Sequence, residues 1–148
     1  MLVENWDGAV AELEKIPGLG KWTTNTSTWY EQDMLVGSEN TMICSTAKIL
    51  DGMLLEVIEP VKGKCEGTHF SEFLESHGPG LHHICYGFPH YEDFKKVYKY
   101  FRDFGFQDVI HGRKKTEQGD ITDEYCYFKV FEEKVFIELN WTRHKWGY

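Results

Sequence analysis

The sequence predicts an α+β fold made of two consecutive β-α-β-β-β units. Three observations predict it. The same order of apolar patterns appears on both sides of residues 59–70. The two helical patterns superpose at one constant displacement. Each series also closes on a strand that carries a carboxylate flanked by apolar residues.

In the N-terminal half, "NWDGAVAELEKIPGLG" has helical spacing, with Ala9, Leu13 and Ile16 on one face. Strands follow near 22–30, 41–50 and 53–59, with Asp51-Gly52 as a hairpin turn. Pro, Gly and Lys then interrupt the pattern over "EPVKGKCEGTHF". A short helix comes next: Thr68 can cap it, Phe70, Phe73 and Leu74 share a face, and Gly78-Pro79-Gly80 stops it. "LHHICYGF" (81–88) is a strand. "YEDFKKVYKYFRDFGF" is a helix with Phe94, Val97, Tyr98 and Phe101 on one face, ended by Gly105. Strands near 106–111, 124–131 and 134–140 complete the chain, the last two joined at Glu132-Glu133. The resulting division is a first unit over 1–60, a connection with a short helix over 61–80, and a second unit over 81–148.

A displacement of 85 lays Val3 on Phe88, Ala9 on Phe94, Leu13 on Tyr98, Ile16 on Phe101 and Gly20 on Gly105. The closing strands "LLEVIEP" and "VFIELNW" match at 82, which puts Glu56 on Glu138. The pattern is that of an internal duplication. The first unit holds only Met1, Leu2 and Val3 of its opening strand, so that strand is expected to be incomplete.

Sixteen Lys+Arg against 24 Asp+Glu give a formal net charge of −8. Such a chain repels phosphate backbones, which argues against nucleic-acid binding through a basic surface. No apolar run approaches the roughly 18 residues that span a bilayer, and "MLVENWDG" lacks the layout of a signal peptide. Cys44, Cys65, Cys85 and Cys126 form no CxxC pair, consistent with free thiols in a reducing compartment. The expectation is a cytoplasmic protein with no membrane partner.

Alternation along 81–88 places Leu81, His83, Cys85 and Gly87 on one face and the bulkier His82, Ile84, Tyr86 and Phe88 on the other. The first face suits a cavity, so His83 is expected to face it. The second suits packing against a helix. Cys85 fits a small buried filler. Glu138 shares a face with Phe136 and Asn140, and Glu56 shares one with Leu54 and Ile58. A mid-strand carboxylate among apolar neighbours is costly to bury unless paired or bound to a cation. Two at equivalent places need a common reason, and a metal ion supplies one. Taken singly, either Glu also fits a half-exposed sheet, and His83 also fits a hydrogen-bonded core. His69, His77, His90, His111 and His144 have no regular spacing and are expected on surfaces or loops. Arg113, Lys114 and Lys115 fit a solvated loop.

"EFLESHGPGLHHICY" followed by a helix, with "LLEVIEP" before it and "VFIELNW" near the end, resembles the vicinal oxygen chelate superfamily, and within it the methylmalonyl-CoA epimerases and their glyoxalase-like relatives. The likeness runs from about Val3 to Asn140. It implies paired βαβββ modules whose curled mixed sheets surround a central cleft with a divalent-metal site. Position by position, the implied ligands are Glu56, His83 and Glu138, and the first-module histidine has no counterpart. The implied chemistry is stabilisation of an enolate of a small carbonyl or acyl-CoA substrate, with a carboxylate removing the alpha proton. Glu39 is the candidate base by its spacing of 17 from Glu56, although a turn explains "GSEN" equally well. One His and two Glu admit Co, Mn, Ni, Zn or Fe.

Other readings remain. A ring-cleaving Fe(II) dioxygenase of the same superfamily would need a second His. A metal-free, ligand-sequestering module of the bleomycin-resistance type could use Trp22, Trp29, Tyr30 and Trp141 to line a cleft. A homodimer is expected, because an incomplete edge strand offers a pairing edge. The counterpart of His83 falls three residues before Met1. Genomic sequence upstream should therefore continue in frame with a strand carrying His at that place; a stop codon or unrelated sequence there would count against it.

Overall fold

The computed structural model describes residues 1–30, 39–50, 52–115, 119–130, 132 and 134–143. These fall into two compact units, one of 1–30 and 39–81, the other beginning at 82.

In the first unit, α1 (Trp6–Leu13) starts where the Asn5 side chain accepts a hydrogen bond from the Gly8 N–H at 3.1 Å. It stops at Leu13, short of the predicted end, with Pro17 and Gly18 soon after. Val10 is therefore its buried residue, and Ile16 lies beyond the helix and is exposed. β1 (Thr23–Tyr30), β2 (Glu39–Leu50) and β3 (Met53–Pro60) form an antiparallel meander. Gly52 takes a positive φ of 74° in the β2–β3 turn, as the hairpin reading requires. α1 lies on one face of this sheet. The Trp6 indole N–H donates to Ser45 Oγ at 2.7 Å, and its backbone N–H to the Glu59 carboxylate at 2.5 Å. Ser45 pairs with Val57 and Thr46 with Glu56. By alternation Glu56 therefore sits on the face without the helix.

The opening residues complete this sheet. Leu2, fully buried, forms a parallel bridge to Ile58 and an antiparallel one to Gly80. The register repeats in the second unit. Displaced by 85, Leu2 falls on Gly87; displaced by 82, Ile58 falls on Asn140; and Gly87 and Asn140 are parallel partners. α2 (His69–His77) carries the expected cap: Thr68 and Ser71 form a capping box, with Phe70 and Phe73 buried.

The second unit contains β4 (His83–Phe88), α3 (Tyr91–Asp103), β5 (Asp108–Lys115), β6 (Ile121–Val130) and β7 (Val135–Thr142). Its sheet order is β4-β7-β6-β5, with β4 parallel to β7 and the other pairs antiparallel. Phe94 of α3 is fully buried against Cys126 and Phe128 of β6 and Leu139 and Trp141 of β7. Burial pushes the Cys126 thiol well up, so it packs as an apolar group. Of β4, Phe88 joins that packing. Ile84 and Tyr86, expected under a helix, are exposed, and so is Cys85, expected as a buried filler.

A polar network on the same face ties α3 down. Tyr91 Oη donates to Glu124 Oε2 at 2.6 Å, His111 Nε2 to Oε1 at 2.7 Å and Arg113 to Oε1 at 3.0 Å. Tyr98 Oη donates to Asp108 at 3.0 Å, and Arg102 pairs with the same carboxylate. His111 and Arg113 thus sit on β5 and serve the interior, not a solvated loop, since the strand runs to Lys115. Burial and the Glu124 hydrogen bond push the Tyr91 hydroxyl up to about 12. Burial would raise Glu124, but hydrogen bonds from His111, Arg113 and Tyr91 outweigh it and hold the carboxyl near 2. A folded pKa below the ordinary 4.5 makes this stabilisation complete above that value and lost as the pH falls from there towards 2. Glu124→Gln should cost about 3 kcal/mol in denaturant titrations at neutral pH. The gap between variant and parent should narrow when the titrations are repeated at successively lower pH below about 4.5.

Candidate metal centre

The face of the second sheet away from α3 carries the other polar group. β7 alternates so that Ile137, Leu139 and Trp141 meet α3 while Phe136, Glu138 and Asn140 point the opposite way. The parallel register aligns His83 with Phe136 and Cys85 with Glu138. His83, Phe136, Glu138 and Asn140 therefore share one face, as the sequence alternation requires.

His83 Nε2 stands 3.4 Å from Glu138 Oε2, and both side chains are buried, at 4% and 6% exposure. The second atom of each group has its own partner. Asn140 Nδ2 donates to Glu138 Oε1 at 2.8 Å, and His83 Nδ1 lies 2.9 Å from His82 Nδ1. Tyr127, opposite Glu138 in β6, meets the His83 ring edge-to-face at 5.2 Å. Tyr125, opposite Asn140, continues the aromatic wall and lies against Gly112, where a Cβ would overlap its ring.

The donor chemistry fits a divalent cation. At 3.4 Å the imidazole and carboxylate are too far apart for a strong hydrogen bond. Two donors bound at about 2.1 Å on one ion, at octahedral to tetrahedral angles, stand about 3.0–3.4 Å apart. The nitrogen–oxygen set suits borderline first-row metals. Outer partners on both groups are the usual support of such ligands.

Among the residues singled out from sequence, the second unit brings His83 and Glu138 together. Glu56 lies half-buried on the helix-free face of its own sheet, as Glu138 does in the second unit. Glu39 opens β2 opposite Tyr30, and its side chain lies outside the described residues. Trp29 and Tyr30 belong to β1, with side chains likewise outside them, and His144 lies outside them altogether.

Two neighbours gain roles that the sequence reading does not give them. Asn140, on the face of Glu138 by its i,i+2 spacing, is its hydrogen-bond donor. His82 belongs by alternation to the opposite face. The regular strand begins only at His83, so the pleat does not govern His82, and its fully buried ring packs on Phe136 at 5.0 Å and reaches His83.

A family model described as the Glyoxalase/Bleomycin resistance protein/Dioxygenase superfamily matches residues 1–127. Among solved structures, methylmalonyl-CoA epimerase from Mycobacterium tuberculosis matches with a TM-score of 0.61 and 14% identity, over 95% of this chain and 83% of that one. A variant of the Streptomyces coelicolor methylmalonyl-CoA epimerase, in complex with 2-nitronate-propionyl-CoA, matches at 0.58 and 19%, over 95% and 91%. A mutant of 4-hydroxymandelate synthase from Streptomyces coelicolor matches at 0.51 and 17%, over 82% of this chain and 41% of that one. No curated protein sequence matches the chain. At these identities the structures share the fold.

Gly112→Ala should push Tyr125 off its seat and destabilise by about 1–3 kcal/mol. Loss of near-ultraviolet dichroism with the far-ultraviolet signal retained would show the displaced aromatic wall.

Proposed function

This chain belongs to the Glyoxalase/Bleomycin resistance protein/Dioxygenase superfamily, and from that premise we propose that it is a divalent-metal-dependent isomerase or lyase of the epimerase or glyoxalase type. Its substrate would be a small carbonyl compound or an acyl-CoA. The observation that carries the reading is the buried His83–Glu138 pair at 3.4 Å, with each group's second atom held by a neighbour. Fold likeness to methylmalonyl-CoA epimerases supports the direction of the chemistry.

In this reading His83, through Nε2, and Glu138, through Oε2, hold the cation, and Glu56 is the third protein ligand. Support for Glu56 comes from its place. It is the displaced counterpart of Glu138, on a closing strand and on the face away from the helix in its own unit. A bound divalent cation would supply Lewis-acid stabilisation of the negative charge that grows on the substrate carbonyl when its alpha proton leaves. Asn140 keeps one oxygen of Glu138 engaged, so the other is presented in a fixed direction. Tyr125 and Tyr127 make the wall beside it aromatic and limit water there. Glu39 is the proposed base on its position in β2. The two-module division at 1–60, 61–80 and 81–148, a cytoplasmic location and a homodimer belong to the same proposal. No helix among the described residues is long and apolar enough to cross a membrane.

The test begins with elemental analysis of protein purified without a histidine tag. Near-stoichiometric metal in the parent and its loss in His83→Ala and Glu138→Ala are expected. Glu56→Ala should weaken affinity about tenfold or more if Glu56 is a ligand. Exchange of the alpha proton of methylmalonyl-CoA in heavy water, followed by mass spectrometry, then reads the reaction. Ligand binding without metal, indifferent to His83→Ala, would replace this reading with a sequestering module.

A further inference from the structure

The HH doublet places two buried imidazoles in contact, and the metal-ligand assignment uses only one. We infer that His82 is a positioning residue that fixes the tautomer of His83 by accepting its Nδ1 proton; this rests on the metal reading of His83 and Glu138.

The argument is one of protons. The two Nδ1 atoms lie 2.9 Å apart, so one carries the hydrogen and the other presents a lone pair. If His82 donates, His83 keeps its hydrogen on Nε2 and turns an N–H towards Glu138. If His83 donates, its Nε2 lone pair faces the Glu138 carboxylate, and only then can it bind a cation. His82 is therefore required as the Nε2–H tautomer, with Nδ1 as acceptor.

The surroundings hold that ring in place. His82 is fully buried, stacks on Phe136 at 5.0 Å with an interplanar angle of 30°, and lies 5.9 Å from Tyr127. Its backbone carbonyl accepts from the Phe136 N–H at 2.8 Å, which anchors the residue just before the pleat begins. The His82 and His83 rings meet at 87° with centroids 5.2 Å apart, so they do not stack, and the Nδ1–Nδ1 approach is their close polar contact. An apolar ring at 82 would keep the packing on Phe136 and remove the Nδ1 acceptor.

Zinc affinity of the full chain, measured by competition with a chromogenic chelator at neutral pH, separates these roles. His82→Phe should weaken zinc binding about 10- to 100-fold with the fold intact by circular dichroism. His82→Asn, whose Oδ1 can stand where Nδ1 was, should restore most of it. Nitrogen-15 spectra of the zinc-loaded parent should show His83 protonated at Nδ1 and His82 unprotonated there, a readout that needs no variant to fold. If His82→Phe binds zinc like the parent while His83→Ala loses it, the inference falls and the metal centre stands. If His83→Ala also binds like the parent, the metal centre falls and the inference with it. Spectra with His83 unprotonated at Nδ1 in the zinc-loaded chain overturn the inference by themselves.

Discussion

A carboxylate taken out of water must find a compensating charge or donor, and the second unit is organised around that requirement at Glu138. The residue is 5% exposed and sits in mid-strand, with Tyr127 opposite it on β6 and Phe136 two residues earlier on the same face. Moving an ionised carboxylate into such surroundings costs several kcal/mol unless it is answered. Asn140 answers one oxygen and His83 faces the other. The parallel β4–β7 register delivers His83 to that place, so a slip of one residue would turn the imidazole to the opposite face.

Glu124 on the adjacent strand is the instructive contrast. It is as buried as Glu138, yet it points towards α3 and is surrounded by donors: His111, Arg113 and Tyr91. Its charge is satisfied within the protein, and its role is to join helix to sheet. Glu138 meets the Asn140 amide and, at a separation suited to a shared cation, the His83 imidazole nitrogen. Two buried carboxylates one strand apart thus differ in surroundings according to which face of the sheet each points to.

The first unit repeats the plan with different packing. Trp6, Ser45 and Glu59 fasten α1 to one face, which leaves Glu56 on the other. Leu2 takes the place in the parallel bridge that Gly87 holds in the second unit, and both displacements read from the sequence meet in that one pair.

The residues alone determined the two β-α-β-β-β series, the caps at Thr68 and Gly78 and the turn at Gly52. All of these follow from periodicity, backbone propensity and strand alternation, which act over short stretches of chain. Tertiary structure decided the rest. His82 joins the site because the pleat starts one residue later than the pattern suggests, and alternation has no force outside a regular strand. Ile84 and Tyr86 are exposed because α3 meets β4 only at Phe88, a matter of how the helix crosses the sheet. His111 and Arg113 serve the interior because β6 brings Glu124 beside them, and only the pairing of strands distant in sequence could reveal that neighbour.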